Sequence, residues 1–253
     1  MRIVCLVALL TLSGCNQEDL LGKFANKEDQ ATAKAYIDRL RSRDFDAIEK
    51  DASPSIKSPD LRTKLERMSS LLPEGSPTSV TLVGAHRFSN SDATTSNITF
   101  EYGFEKKWFL VNVAVQGGAG ARTIVGLNVV PQVQSLESQN RFTLSGKSAL
   151  QYSVLAGATA AALLTFYALV LCIKTKQLKR KWLWILFILA GIGKVAVNWT
   201  NGQVLFAPIS FQLFSASAFA QLYGPWIISA SLPVGAAVFL IFRRTRLAKP
   251  IGS

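Results

Sequence analysis

Two residues in this sequence stand where their side-chain chemistry would count. Cys15 closes the run Leu12-Ser13-Gly14-Cys15, and Lys194 sits in Gly191-Ile192-Gly193-Lys194-Val195. A cysteine thiolate is a nucleophile that can be alkylated or acylated. The small residues Ser13 and Gly14 leave the backbone beside it open to a peptidase. Lys194 is an ionisable group within an uncharged run, and such groups mark pathways in membrane proteins. It also lies five residues from Trp199, about 7.5 Å along a helix, near enough to a boundary for a lysine to snorkel to headgroups. No Asp or Glu follows Glu137, so a carboxylate proton relay around Lys194 is not available.

The other reactive types give little. His86 is the only histidine, which excludes a histidine-rich metal site; beside Arg87 on an expected strand it reads as a surface residue. Asp44 and Asp46 read as a charged helix break rather than an acid pair. Gly117, Gly118 and Gly120 lack the third glycine and the following helix of a dinucleotide fingerprint, and read as a hairpin turn. Between Cys15 and Cys172 the chain has no cysteine, so residues 16–171 can form neither an internal disulfide nor a thiol metal site. No catalytic residue, metal or cofactor is expected.

The elements around Cys15 explain its position. Arg2, the apolar stretch Ile3 to Leu12 and the small pair Ser13-Gly14 have the order and proportions of a secretory signal over residues 1–14. Leu12-Ser13-Gly14-Cys15 resembles the lipobox of bacterial lipoproteins. That resemblance implies a diacylglycerol and palmitate on Cys15, cleavage before it, and a mature chain beginning there. Asn16 stands where some of these proteins carry an inner-membrane retention Asp; the apolar segments further on are expected to hold the chain in the inner membrane regardless. Residues 15–29 are expected to form the lipidated end and a polar tether.

Charge is divided sharply along the chain. The net charge is +12, yet all 16 acidic residues lie between Glu18 and Glu137, facing 17 basic ones from Lys23 to Lys147. The excess comes from Arg2, from Lys174, Lys176, Lys179, Arg180 and Lys181, from Lys194, and from Arg243, Arg244, Arg246 and Lys249. Basic clusters that flank apolar runs are topology signals, not a phosphate-binding surface, and nucleic acid is not an expected partner.

Residues 30–135 are expected to form an exported α+β domain. Ala33, Tyr36, Ile37, Leu40, Ala47 and Ile48 recur at helical spacing between Glu28 and Lys50, with a break near Asp44-Phe45-Asp46. A second helix is expected from Leu61 to Leu72, with Asp60 as its cap. Four strands, Thr78 to Phe88, Thr95 to Phe104, Lys107 to Gln116 and Arg122 to Val130, should follow as an antiparallel meander. Ala35-Tyr36-Ile37-Asp38-Arg39-Leu40, the turn Arg43-Asp44-Phe45-Asp46 and the strand Trp108-Phe109-Leu110-Val111-Asn112-Val113 resemble the NTF2-like (cystatin-like) superfamily. The resemblance implies a curved sheet whose cone either holds a ligand or is filled by side chains, and it implies no catalysis.

Beyond a linker at 136–149, an all-α membrane domain of three transmembrane helices is expected. The spans are 150–173, 182–199 and 225–242, with a cytoplasmic loop at 174–181, an interfacial or re-entrant segment at 200–224 and a cytoplasmic tail at 243–253. Three spans put both basic clusters on one side, as the positive-inside rule requires. The run Asn198-Trp199-Thr200-Asn201-Gly202-Gln203 and the stretch from Pro225 to Leu240 resemble bacterial membrane proteins of no assigned activity. The expected function is that of a non-enzymatic inner-membrane lipoprotein. Its exported domain would bind an envelope partner or small ligand, and its partners would be membrane lipid and another inner-membrane or envelope protein. A transporter or channel subunit using Lys194 and 200–224 is the alternative, and an enzyme with its pocket in the exported domain is a weaker one.

Overall fold

The computed structural model describes residues 26–89, 93–117, 122–176 and 178–247. The expected signal peptide, Cys15 and most of the tether lie outside the described residues. The chain divides into two compact units, Met1–Ser138 and Gln139–Ser253.

The first unit is α+β. Helix α1 (Lys27–Arg41) starts where the Asn26 side chain accepts from the Glu28 amide at 3.2 Å, with Glu28 and Asp29 in its first turn and Arg39 and Arg41 in its last. That distribution matches the helix dipole. Its apolar face buries Ala33, Tyr36, Ile37 and Leu40. The expected break is present: Arg43 takes φ 60 and Asp44 caps a new helix, α2 (Phe45–Asp51). Helix α3 (Leu61–Leu71) follows, but Asp60 at its start makes no cap bond to the helix amides. Its carboxylate is engaged by Ser58 and by Lys64 at 2.7 Å.

Strands β1 (Ser79–Ser89), β2 (Thr94–Phe104), β3 (Lys107–Gly117) and β4 (Arg122–Gln132) form an antiparallel sheet in the order β1-β2-β3-β4. Along β3 the buried positions Phe109, Val111, Val113 and Val115 alternate with wetter ones, as one covered face requires. They meet Ile37, Leu40, Ile48, Leu65, Phe100 and Ile124 in one apolar core. The inner face of this sheet is therefore filled by side chains of the three helices. A backbone bond from Ser53 to the Ile124 carbonyl, 2.8 Å, ties the end of α2 to β4.

The second unit departs from the expected three-helix membrane domain. Among the described residues, one helix, α5 (Ala149–Lys174), is long and apolar enough to cross a membrane; α4 (Leu136–Asn140) is a single short turn before it. The 26 residues of α5 reach about 39 Å. The segments expected as the second and third spans are each half helix and half strand. Helix α6 (Lys181–Leu189) runs directly into β5 (Ala190–Asn198), and β8 (Trp226–Leu232) runs through Pro233 into α7 (Val234–Phe242). The expected re-entrant segment is β6 (Val204–Leu213) and β7 (Ala216–Ala220). The four strands form a second antiparallel sheet in the order β6-β5-β8-β7.

Local sequence accounts for the change. At nine residues each, α6 and α7 reach only about 14 Å, short of a roughly 30 Å hydrocarbon core. Helix α6 ends at Leu189, just before Gly191 and Gly193, whose low helix propensity disfavours continuation, and Gly193 adopts φ 71, a left-handed conformation that glycine takes without strain. The β-branched Val195 and Val197 follow. On the return, Trp226, Ile227 and Ile228 favour a strand, which runs on to Pro233, whose ring suits a helix start and not its interior.

Helix α5 serves both halves of each arm. Its first half packs Val154 and Ala158 against Val197, Trp199 and Ile228 of the sheet side. Its second half packs Ala168 and Cys172 against Ile188, Ala236 and Phe239. Helices α6 and α7 lie against each other, with Trp184 stacked on Phe242 at 4.9 Å. The backbone approach is close enough that a Cβ at Gly235 would overlap the Phe187 carbonyl. Gly235→Val is accordingly expected to cost at least about 1–3 kcal/mol. Thermal unfolding of the full chain in detergent reads this as a lowered midpoint, and an unchanged midpoint would contradict the close α6–α7 approach.

Candidate functional site

Lys194 lies in β5 opposite Ala207 of β6. It contributes to the wall of a cavity of about 560 Å³. Helix α5 lines one side with Gly157, Ala160, Ala161 and Leu164, and the sheet lines the other through residues including Phe206, Pro208 and Leu232. Lys194 is the one charged residue of this lining. The position is built by an irregularity: the β5–β6 register slips between Ile192 and Lys194, and the β5–β8 register slips between Ile192 and Val195. Gly193, at φ 71, is the residue at the slip. Bulges of this kind re-aim the next side chain and bend the strand.

A polar cluster belongs to the same sheet. Gln212 donates through Nε2 to Ser229 Oγ at 2.8 Å and accepts from Ser231 Oγ at 2.5 Å, and Ser217 shares a 2.8 Å bond with Ser229. Ser215, at φ 58 and fully buried, has no partner for its hydroxyl. Gly191 lies against it, 2.9 Å from Ser215 Cα measured from the position of an added Cβ. The amino-terminal end of α5 is fixed by Gln151, which completes a capping box with Ser148 and donates to the Trp199 carbonyl at 2.8 Å. Trp199 in turn donates to the Thr143 carbonyl at 2.8 Å and stacks on Phe142.

In the first unit, Arg41, Arg43, Ser69 and Glu74 line a small polar pocket of about 270 Å³. Arg41 donates to the Gly75 carbonyl, stands 4.0 Å from Asp38, and keeps a buried Nε without a partner. Nearby Tyr102 is 3% exposed, and its hydroxyl is pushed up to about 12, first by burial and then by the charge of Asp38, with Arg41 opposing. Tyr36 is raised as well, by burial and by Asp51, whose carboxylate also takes Arg39 at 2.7 Å.

The remaining sequence candidates are scattered. His86 is exposed on β1, opposite Asn97. Asp44 caps α2 and Asp46 pairs with Arg62, so the two carboxylates do separate structural work. Gly117 ends β3, while Cys15, Gly118 and Gly120 lie outside the described residues. No group of three His, Cys, Asp or Glu side chains suited to a metal occurs among the described residues. The Gln212 cluster and the Arg41 pocket were not anticipated. Ser217 and the serines two apart at 229 and 231 were the signal for the first; a left-handed Arg43 carries no sequence signal.

Because Tyr102 holds its proton longer when folded, the unfolded state deprotonates first as pH passes about 10. Stability is fully present below that pH and falls between about pH 10 and about 12. Urea unfolding of the full chain, followed by circular dichroism, should show this fall, and Tyr102→Phe should reduce it, the rest coming from the likewise raised Tyr36. Comparison with known protein families, with curated proteins and with solved structures found no match to the chain.

Proposed function

We propose that this chain is a non-enzymatic bacterial inner-membrane lipoprotein. Cys15 carries the lipid, the first unit faces the periplasm and binds an envelope partner, and the carboxy-terminal tail is cytoplasmic. The observation that carries the reading is the gathering of basic residues at one end of the second unit. Lys174 ends α5, Lys181 begins α6, and Arg243 and Arg244 follow α7. The apolar cluster of Cys172, Ile188 and Phe239 holds these three helices side by side. Lys181 also donates to the Ile173 carbonyl at 3.0 Å, closing the basic loop onto the end of α5. A basic end on an apolar unit is the arrangement that the positive-inside rule selects.

The filled core of the first unit supports recognition through its surface rather than in an enclosed cone. The reading gives no catalytic role to Asp44, which caps α2, to Asp46, which pairs with Arg62, or to His86, exposed on β1.

Two measurements on a carboxy-terminally tagged chain test this. Mass spectrometry of the mature protein should find a lipid-modified terminus at Cys15, lost in Cys15→Ser. Protease added to spheroplasts should digest the first unit and spare the tag. A tag cut from outside, or an unprocessed amino terminus, would contradict the reading.

A further inference from the structure

We propose that the cavity between α5 and the β5–β6–β8 face holds an acyl chain of an anionic phospholipid, with Lys194 binding the headgroup. The inference goes beyond the function proposed above and rests on its placement of the second unit in a bilayer. The volume, about 560 Å³, lies within the roughly 300–1,000 Å³ of ordinary small-molecule sites. Its lining separates an amphiphile's two parts: Gly157, Ala160, Ala161 and Leu164 offer a smooth apolar strip along one helix, and Lys194 offers the charge.

Charge complementarity selects an anion. The chain has no Asp or Glu after Glu137, so Lys194 has no carboxylate side chain in its own unit to neutralise it. A lysine against an apolar cavity is costly unless water or an anion meets it. A phosphate also suits the ammonium, which acts as a strong point charge. A second feature points to the same place: the left-handed Gly193 and the two register slips fall beside Lys194, which keeps Ala207 of β6 opposite it but has no register partner in β8. Exposed Phe206, 68% accessible, stands beside the opening as an apolar contact for the chain.

The test uses the full chain in vesicles of phosphatidylcholine doped with either phosphatidylglycerol or phosphatidylethanolamine, followed by mild extraction and native mass spectrometry. Phosphatidylglycerol should stay with the protein in preference to the other two by about tenfold, which corresponds to about 1.4 kcal/mol. Lys194→Met should abolish the preference, and Lys194→Arg should keep it. Ala160→Trp, at an exposed position of the lining, should reduce retention of every phospholipid. Added oleate should compete weakly, whereas displacement of phosphatidylglycerol by oleate at equal concentration would show that a free fatty acid, not a phospholipid, is the ligand. Equal retention of all three lipids, or an unchanged preference in Lys194→Met, would overturn the proposal while leaving the membrane reading intact. A chain that does not insert into any of the vesicles would overturn both.

Discussion

Backbone amides surrounded by apolar side chains must be paired by other backbone groups, and this requirement shapes the second unit. A long helix meets it alone, which is how α5 can run for 26 residues with few neighbours over much of its length. The two arms beside it cannot, because Gly191, Gly193 and Pro233 interrupt the helical ladder part-way. Each arm then satisfies its amides by strand pairing: β5 pairs with β6 and β8, and β8 also pairs with β7. Helix and strand are two solutions to one constraint, exchanged where the sequence makes the first too expensive.

The exchange also sets where polar groups can collect. Strand pairing brings Gln212, Ser217, Ser229 and Ser231 within hydrogen-bond distance of one another, which places four polar side chains in a largely apolar unit at little cost. It leaves β6 and β7 as open edges. Unpaired edge amides cannot face hydrocarbon. In the proposed bilayer setting those two edges need water, polar headgroups or protein against them.

The first unit was readable because its signals are local and agree with one another. The alternation in Phe109, Val111 and Val113 specifies both strand and buried face, and Asn26 and the break at Arg43 bound α1. Asp60 shows the limit: its type and place mark a cap, yet Ser58 and Lys64 compete successfully for its carboxylate. In the second unit, hydropathy alone could not separate a span from a buried sheet. Residues 182–199 and 225–242 are apolar enough to suggest two helices, and the charge pattern fits three passes. The deciding residues were Gly191, Gly193 and Pro233, which transmembrane helices often tolerate and which here end them. The cavity at Lys194 was out of reach for a further reason, since it depends on a bulge and on long-range packing against α5.

The handover from helix to strand is the claim on which the site, the cavity and the placement of the sheet all depend. Solid-state NMR of the uniformly labelled full chain in liposomes tests it through carbonyl and Cα shifts. Helical shifts over Lys181–Leu189 and Val234–Phe242, with strand shifts over Ala190–Asn198 and Trp226–Leu232, are the result this account predicts. Unbroken helical shifts from 182 to 199 and from 225 to 242 would contradict it.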